Sequence, residues 1–69
     1  GEIRAAIERS LSRLPEEYRV VIQLHDVEEL PNEEVAATLG LTVAAVKSRV
    51  HRARLFLRQE LAHLFSPGR

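Results

Sequence analysis

The chain has 69 residues, no cysteine and a formal net charge of zero. This length fits one small domain near the lower limit of what a single core sustains, and the missing cysteines exclude both a disulfide framework and a thiolate metal site, so that a reducing, cytoplasmic setting is the expectation. The apolar runs are too short to span a bilayer, there is no signal-peptide pattern, and the initial glycine with no methionine anywhere suggests an excised domain.

Taken in order, residues 2–13 read as a first helix, with Ile3, Ile7, Leu11 and Leu14 on one arc and Ala6 and Ser10 at its border. Pro15 ends that helix and suits the first turn of a second, residues 15–29, where Glu16 and Glu17 sit at the positive end of the dipole. Tyr18, Val20, Val21, Ile22, Leu24 and Val27 surround most of this second axis, leaving Arg19, Gln23 and Asp26 as a polar strip, and a central position follows. Leu30 and Pro31 interrupt the pattern. A short third helix over 32–39, capped by Asn32 or the residue before it, buries Val35, Ala36 and Leu39. Gly40 stands where a helix ends in the left-handed conformation, Leu41 plugs the corner, and Thr42 is a natural N-cap for a fourth helix over 43–65. Ser66, Pro67 and Gly68 terminate it.

The fourth helix organises the rest. Val46, Val50, Ala53, Leu57, Leu61 and Leu64 recur at helical spacing and form a stripe that faces a core. On the opposite side lie Ala44, Ser48, His51, Arg52 and Leu55, flanked by Lys47 and Arg58 on one edge and by Ala45 and Arg49 on the other. The neutral total conceals a segregation. Residues 1–40 hold four Arg against nine Asp and Glu, whereas residues 41–69 hold six Lys and Arg against Glu60 alone. One pole therefore attracts phosphate while the other repels it, which orients the molecule on a polyanion.

A short helix, a three-residue turn containing Gly40, and a longer helix with small residues at its start make a helix-turn-helix pattern, whose second helix enters the DNA major groove. The expected fold class is all-α, residues 1–69 forming a single four-helix domain that contains a helix-turn-helix with a long C-terminal recognition helix.

The blocks LPEEYR at 14–19, EEVAATLGL at 33–41 and VKSRVHRAR at 46–54 carry a more specific likeness. On these, Leu14 to Leu61 resembles region four, the C-terminal promoter-recognition domain, of bacterial sigma factors of the extracytoplasmic-function (ECF) group. The resemblance implies reading of the minus-thirty-five promoter element within RNA polymerase holoenzyme, docking on the flap of the polymerase β subunit, and often capture by an anti-sigma factor. Carried over by position, Lys47, Ser48, His51 and Arg52 meet bases, while Thr42, Arg49 and Arg54 hold backbone phosphates. The sequence departs from the family at Pro31 and Asn32, where members often have Ser followed by an aromatic residue; that Ser completes a capping box, so the cap and any phosphate contact at this corner are open.

Other readings of the same residues stand beside these. A response-regulator-type transcription factor uses a similar helix pair, and a protein-binding helical domain leaves the basic face merely solvated. Arg54 borders the buried stripe, so an ion pair with the acidic first half is its alternative role. His25, among apolar neighbours, reads as a partly buried structural histidine. His51 and His63 lie about 120° apart round the helix and cannot share a metal. Ser48 and His51 are neighbours, but no carboxylate is placed to orient the imidazole, so neither a catalytic residue, a cofactor nor a small-molecule substrate is expected. Leu55, Phe56 and Phe65 project outside the buried stripe; partial cover by Ile3 and Ile7 is expected, with any remainder serving as a partner surface.

Overall fold

The computed structural model describes residues 1–64; Phe65, the end of the fourth helix and the Ser66-Pro67-Gly68 terminator lie outside the described residues. Among the described residues there are α-helices and no strands: α1 (Glu2–Arg13), α2 (Glu16–Ile22), a π-helical turn (Gln23–Val27) continuing α2, α3 (Asn32–Leu39) and α4 (Val43–Leu64). The protein is all-α. At 1.5 Å per residue, the 22 residues of α4 span about 33 Å. Each of the three other α-helices packs against this rod.

The core lies where α2 and α3 meet α4, and it comprises Leu14, Val21, Ile22, Val35, Ala36, Val46, Val50 and Ala53. Val21, Val35, Val46 and Ala53 are wholly inaccessible to solvent. Ala36 and Ala53 allow close crossing because neither side chain extends beyond a methyl group. Leu57 and Leu61 continue the α4 stripe as half-buried side chains.

Local chemistry sets the junctions. Pro15 starts α2 by accepting from Tyr18 and Arg19 through its carbonyl, while its own missing N–H is one that a helix start leaves unused. Gly40 adopts φ 68°, a left-handed conformation that a Cβ would oppose, and the Leu41 N–H donates to the Ala36 carbonyl to close the end of α3. Thr42 Oγ1 accepts from the Ala45 N–H at 3.0 Å, which satisfies one of the free donors at the start of α4.

Three expectations are corrected. Ile3 and Ile7 do not face the interior: they are 65% and 41% exposed, whereas Ala6 and Ser10 are buried. Of the predicted arc, Leu14 is buried and Leu11 packs against the core, so the inward face of α1 holds only the C-terminal half of that arc and takes Ala6 and Ser10 in place of Ile3 and Ile7. Leu55 is 39% exposed, while Phe56 is half-buried and packs against the core from α4 itself.

The second helix does not run as a regular α-helix to Glu29. Its backbone widens after Ile22, the Glu28 N–H donating to the Gln23 carbonyl and the Leu30 N–H to that of Leu24. A π-turn takes in one residue more per turn than an α-turn, so the side chains beyond it leave the earlier phase. Val27 is turned outward, 57% exposed, rather than inward as periodicity suggested.

Of the two expected N-cap candidates for α3, Pro31 takes the position, without a side-chain hydrogen bond, and Asn32, inside the helix, has its Oδ1 buried without a hydrogen-bond partner. The Ser10 hydroxyl is a second buried oxygen without a partner.

Glu29 follows the π-turn with φ 58°, the sole positive-φ residue other than glycine among those described. A β-carbon in that region costs about 1–2 kcal/mol, and the glycine that would relieve it has a larger unfolded-state entropy to lose. Glu29→Gly is therefore expected to stabilise the fold by about 0.5–1 kcal/mol, raising Tm by about 2–8 °C in thermal melts; an unchanged or lower Tm would show that the left-handed residue carries no strain.

Candidate nucleic-acid interface

The turn Gly40–Thr42 sets the start of α4 at an angle to α3 and leaves one long side of α4 bare. Burial of Val46, Val50 and Ala53 fixes the rotation of that helix about its axis. With those three held inward, Ala44, Ser48, His51 and Arg52 are exposed, Lys47 and Arg58 are exposed beside them, and Ala45 and Arg49 are half-buried at the other edge. The side chains singled out for base contact, Lys47, Ser48, His51 and Arg52, thus share one open surface. Thr42 lies at its N-terminal margin, where its hydroxyl is already engaged as the helix cap.

Lys47, His51, Leu55 and Arg58 descend one flank of α4 and, with Arg54, form a wall of an open basin of about 290 Å³. His25 and Asn32, from the π-turn and the start of α3, form the facing wall, and Val50 its floor. Lys47, Arg52 and Arg58 have no ion-pair partner among the described residues. Their charge is free to meet an anion. The sole acid of α4, Glu60, is held by Arg13 at 3.2 Å, away from this surface.

Arg54 differs from its basic neighbours. Its Nε donates to Asp26 Oδ2 at 3.0 Å and its Nη2 to Asp26 Oδ1 at 2.6 Å, a two-point contact between α4 and the π-turn. His25 Nδ1 donates to the same Oδ1 at 2.6 Å. The Arg54 guanidinium, and secondarily the imidazole, hold the Asp26 carboxyl below its ordinary pKa against an opposing contribution from burial, and the same contact raises that of Arg54. Because Asp26 ionises more readily folded than unfolded, the pair contributes in full above the ordinary carboxylate value of 3.8 and is lost as pH falls below it. Between pH 5 and pH 3 the unmodified chain is expected to lose more stability than Asp26→Asn; parallel pH–stability curves would show that the contact contributes nothing.

The imidazole of His25 is three-quarters shielded, in agreement with a partly buried structural role. Sequence reasoning passed over Asp26 and Asn32 as interface residues. Asp26 is exposed, as its place on the polar strip with Arg19 and Gln23 predicts, but the strip does not say that its carboxylate meets α4; the opposite charge on Arg54, bordering the buried stripe, is the signal available. On the far side of α2, Val20, Leu24 and Leu39 line a shallow apolar groove with Arg19 and Gln23 at its rim. Among the described residues no cluster of His, Asp and Glu is arranged to hold a metal, and no helix is long and apolar enough to cross a membrane.

Residues 4–57 match the family model for sigma-70, region 4. The chain belongs to this family. The ECF RNA polymerase sigma factor SigE of Mycolicibacterium smegmatis is 45% identical over 62 residues, a stretch covering 90% of this chain and 24% of the relative. SigW of Bacillus subtilis, an ECF RNA polymerase sigma factor, is 38% identical over 63 residues, 91% of this chain and 34% of the relative. The ECF sigma-E factor of Escherichia coli K12 is 40% identical over 53 residues, 77% of this chain and 28% of the relative. The chain thus spans about a quarter to a third of the relatives it matches, and the region 4 match covers α1 from Arg4, all of α2 and α3, and α4 as far as Leu57, with Lys47, Ser48, His51 and Arg52 inside it.

Proposed function

We propose that this region 4 domain is the promoter-reading end of an ECF sigma factor, a non-catalytic module that recognises the minus-thirty-five element and acts in the cytoplasm as part of RNA polymerase holoenzyme. The observation that carries the reading is the bare, cationic side of α4: Ser48, His51 and Arg52 stand exposed directly opposite Val46, Val50 and Ala53, which the core holds fixed. A surface held in this way presents donors to base edges without reorganisation.

Arg52 and Lys47 donate to guanine O6 and N7, Ser48 donates or accepts, and His51 contacts a base face, a thymine methyl or a phosphate. Thr42, Arg49 and Arg54 set register on the backbone, which carries no sequence information. Neutralising a handful of phosphates gives weak binding with strong salt dependence, and useful affinity arises from tethering to polymerase and to a second DNA-reading domain. The groove at Val20, Leu24 and Leu39 and the partly exposed Leu55 and Phe56 suit an apolar helix of the polymerase β flap or of an anti-sigma factor.

Selection from a random duplex pool tests the reading. The 69-residue chain should enrich one short motif, with affinity that falls steeply between 50 and 200 mM salt. Binding without enrichment would reduce it to a non-specific polyanion binder, and no salt-dependent binding would remove DNA from its function.

A further inference from the structure

The Arg54–Asp26 contact fixes not only that Arg54 is held but which of its donors remain. A guanidinium has five N–H groups. Asp26 takes the Nε–H and one N–H of Nη2, the side-on edge, at 3.0 and 2.6 Å. Three remain, two on Nη1 and one on Nη2, and the Nη2 N–H with one N–H of Nη1 forms the end-on fork that matches two oxygens of a phosphate. Arg54 lines the same basin as Lys47, His51 and Arg58, and half of its side chain is exposed, so this fork is accessible to an incoming anion.

Asp26 is itself restrained. It sits on the π-turn, whose widened backbone brings it against α4, and His25 donates to its Oδ1 at 2.6 Å while Arg54 donates to both carboxylate oxygens. A flexible arginine ordinarily loses rotamer freedom when it binds phosphate; one already gripped on its side-on edge has lost most of it before the anion arrives.

We propose that Asp26 is a positioning residue for DNA binding: it presents the free edge of Arg54 to the basin, where that edge takes one backbone phosphate. The inference rests on the DNA-binding reading above and deepens it, since Asp26, an acid beside a polyanion site, is otherwise a repelling charge. It assigns the acid a positive role. Arg54→Lys should reproduce the loss of Asp26, because an ammonium keeps the charge but has neither the side-on edge nor the fork.

The test uses the 69-residue chain and its selected duplex, with single methylphosphonates placed in turn along both strands. For the unmodified chain, neutralising one particular phosphate should weaken binding more than its neighbours do. Asp26→Asn and Arg54→Lys should each abolish that peak and lower the slope of log affinity against log salt by about one. Partial unfolding alone would scale all duplexes equally, leaving peak and slope intact. An unaltered peak in Asp26→Asn, or a steeper salt slope with tighter binding, overturns the positioning role and makes Asp26 a simple repelling charge. Failure of the unmodified chain to bind any duplex overturns the DNA reading as well, so the two failures are distinct.

Discussion

Arg52→Ala is expected to flatten the preference of the domain among duplex sequences, removing about 1–3 kcal/mol of discrimination at one or two base pairs. Arg49→Ala should weaken every sequence by a similar factor. The contrast follows from where burial of Val46, Val50 and Ala53 puts each side chain. Arg52 is exposed one turn beyond Ser48, on the line that points away from the core, with no ion-pair partner among the described residues. On the proposed reading its planar fork would meet guanine O6 and N7 in a two-point contact that the other base pairs do not offer.

Arg49 is half-buried at the edge beside Ala45, from which, on the proposed reading, it would approach the sugar-phosphate wall of a groove rather than its floor. A contact of that kind sets register and adds salt-dependent affinity without reading sequence. Competition binding against a panel of single base-pair variants, at one fixed salt concentration, measures both effects. Should Arg49→Ala change the preference and Arg52→Ala only the affinity, the face assigned to the bases is turned by about a sixth of the helix circumference.

The parts of this fold legible in the sequence are those governed by short-range chemistry. Gly40, Pro15 and Thr42 act within one turn of themselves: a left-handed φ, a missing N–H and a hydroxyl acceptor require no knowledge of the tertiary structure. The α4 stripe was legible for a different reason, since a long run of helical spacing averages out local error, and Ser48 and Arg52 opposite it came with the same phase.

What failed was phase in short helices and at a break. In α1, hydrophobicity favoured Ile3 and Ile7, but closeness of approach favoured Ala6 and Ser10, and packing against α4 decided between them. Ser10 enters the core despite leaving its hydroxyl without a partner, which shows how strongly size outweighed polarity at that crossing. Beyond Ile22, the π-turn changes the phase itself. Periodicity puts Asp26 on the exposed strip with Arg19 and Gln23, where it stands, but says nothing of a partner 28 residues on, so the Asp26–Arg54 contact is a product of tertiary structure that charge complementarity alone hinted at.

Two acidic substitutions only two residues apart on α4 should have opposite consequences. Val46→Asp is expected to unfold the domain, and Ser48→Asp to leave it folded while abolishing DNA binding. Val46 is wholly inaccessible and packs in the cluster with Val21, Val35 and Val50. A carboxylate there would have no hydrogen-bonding or charged partner, at a cost of several kcal/mol. A chain of this size commands roughly 3–10 kcal/mol in all, so the deficit consumes most or all of it. Far-ultraviolet circular dichroism should show the helix signal lost at 25 °C.

Ser48 is exposed, lies beyond the first turn of α4 and makes no hydrogen bond among the described residues, so aspartate there displaces no contact and leaves the melt nearly unchanged. Its charge would nevertheless face the bases between two phosphate strands, well within a Debye length of both, and repulsion should reduce affinity at least about tenfold. A folded, DNA-binding Val46→Asp, or a Ser48→Asp that binds as the unmodified chain does, would mean that the two sides of α4 are exchanged. The pair is decisive because at helical spacing the residues differ by nearly half a turn: the same added charge enters the core at one and opposes the phosphates at the other.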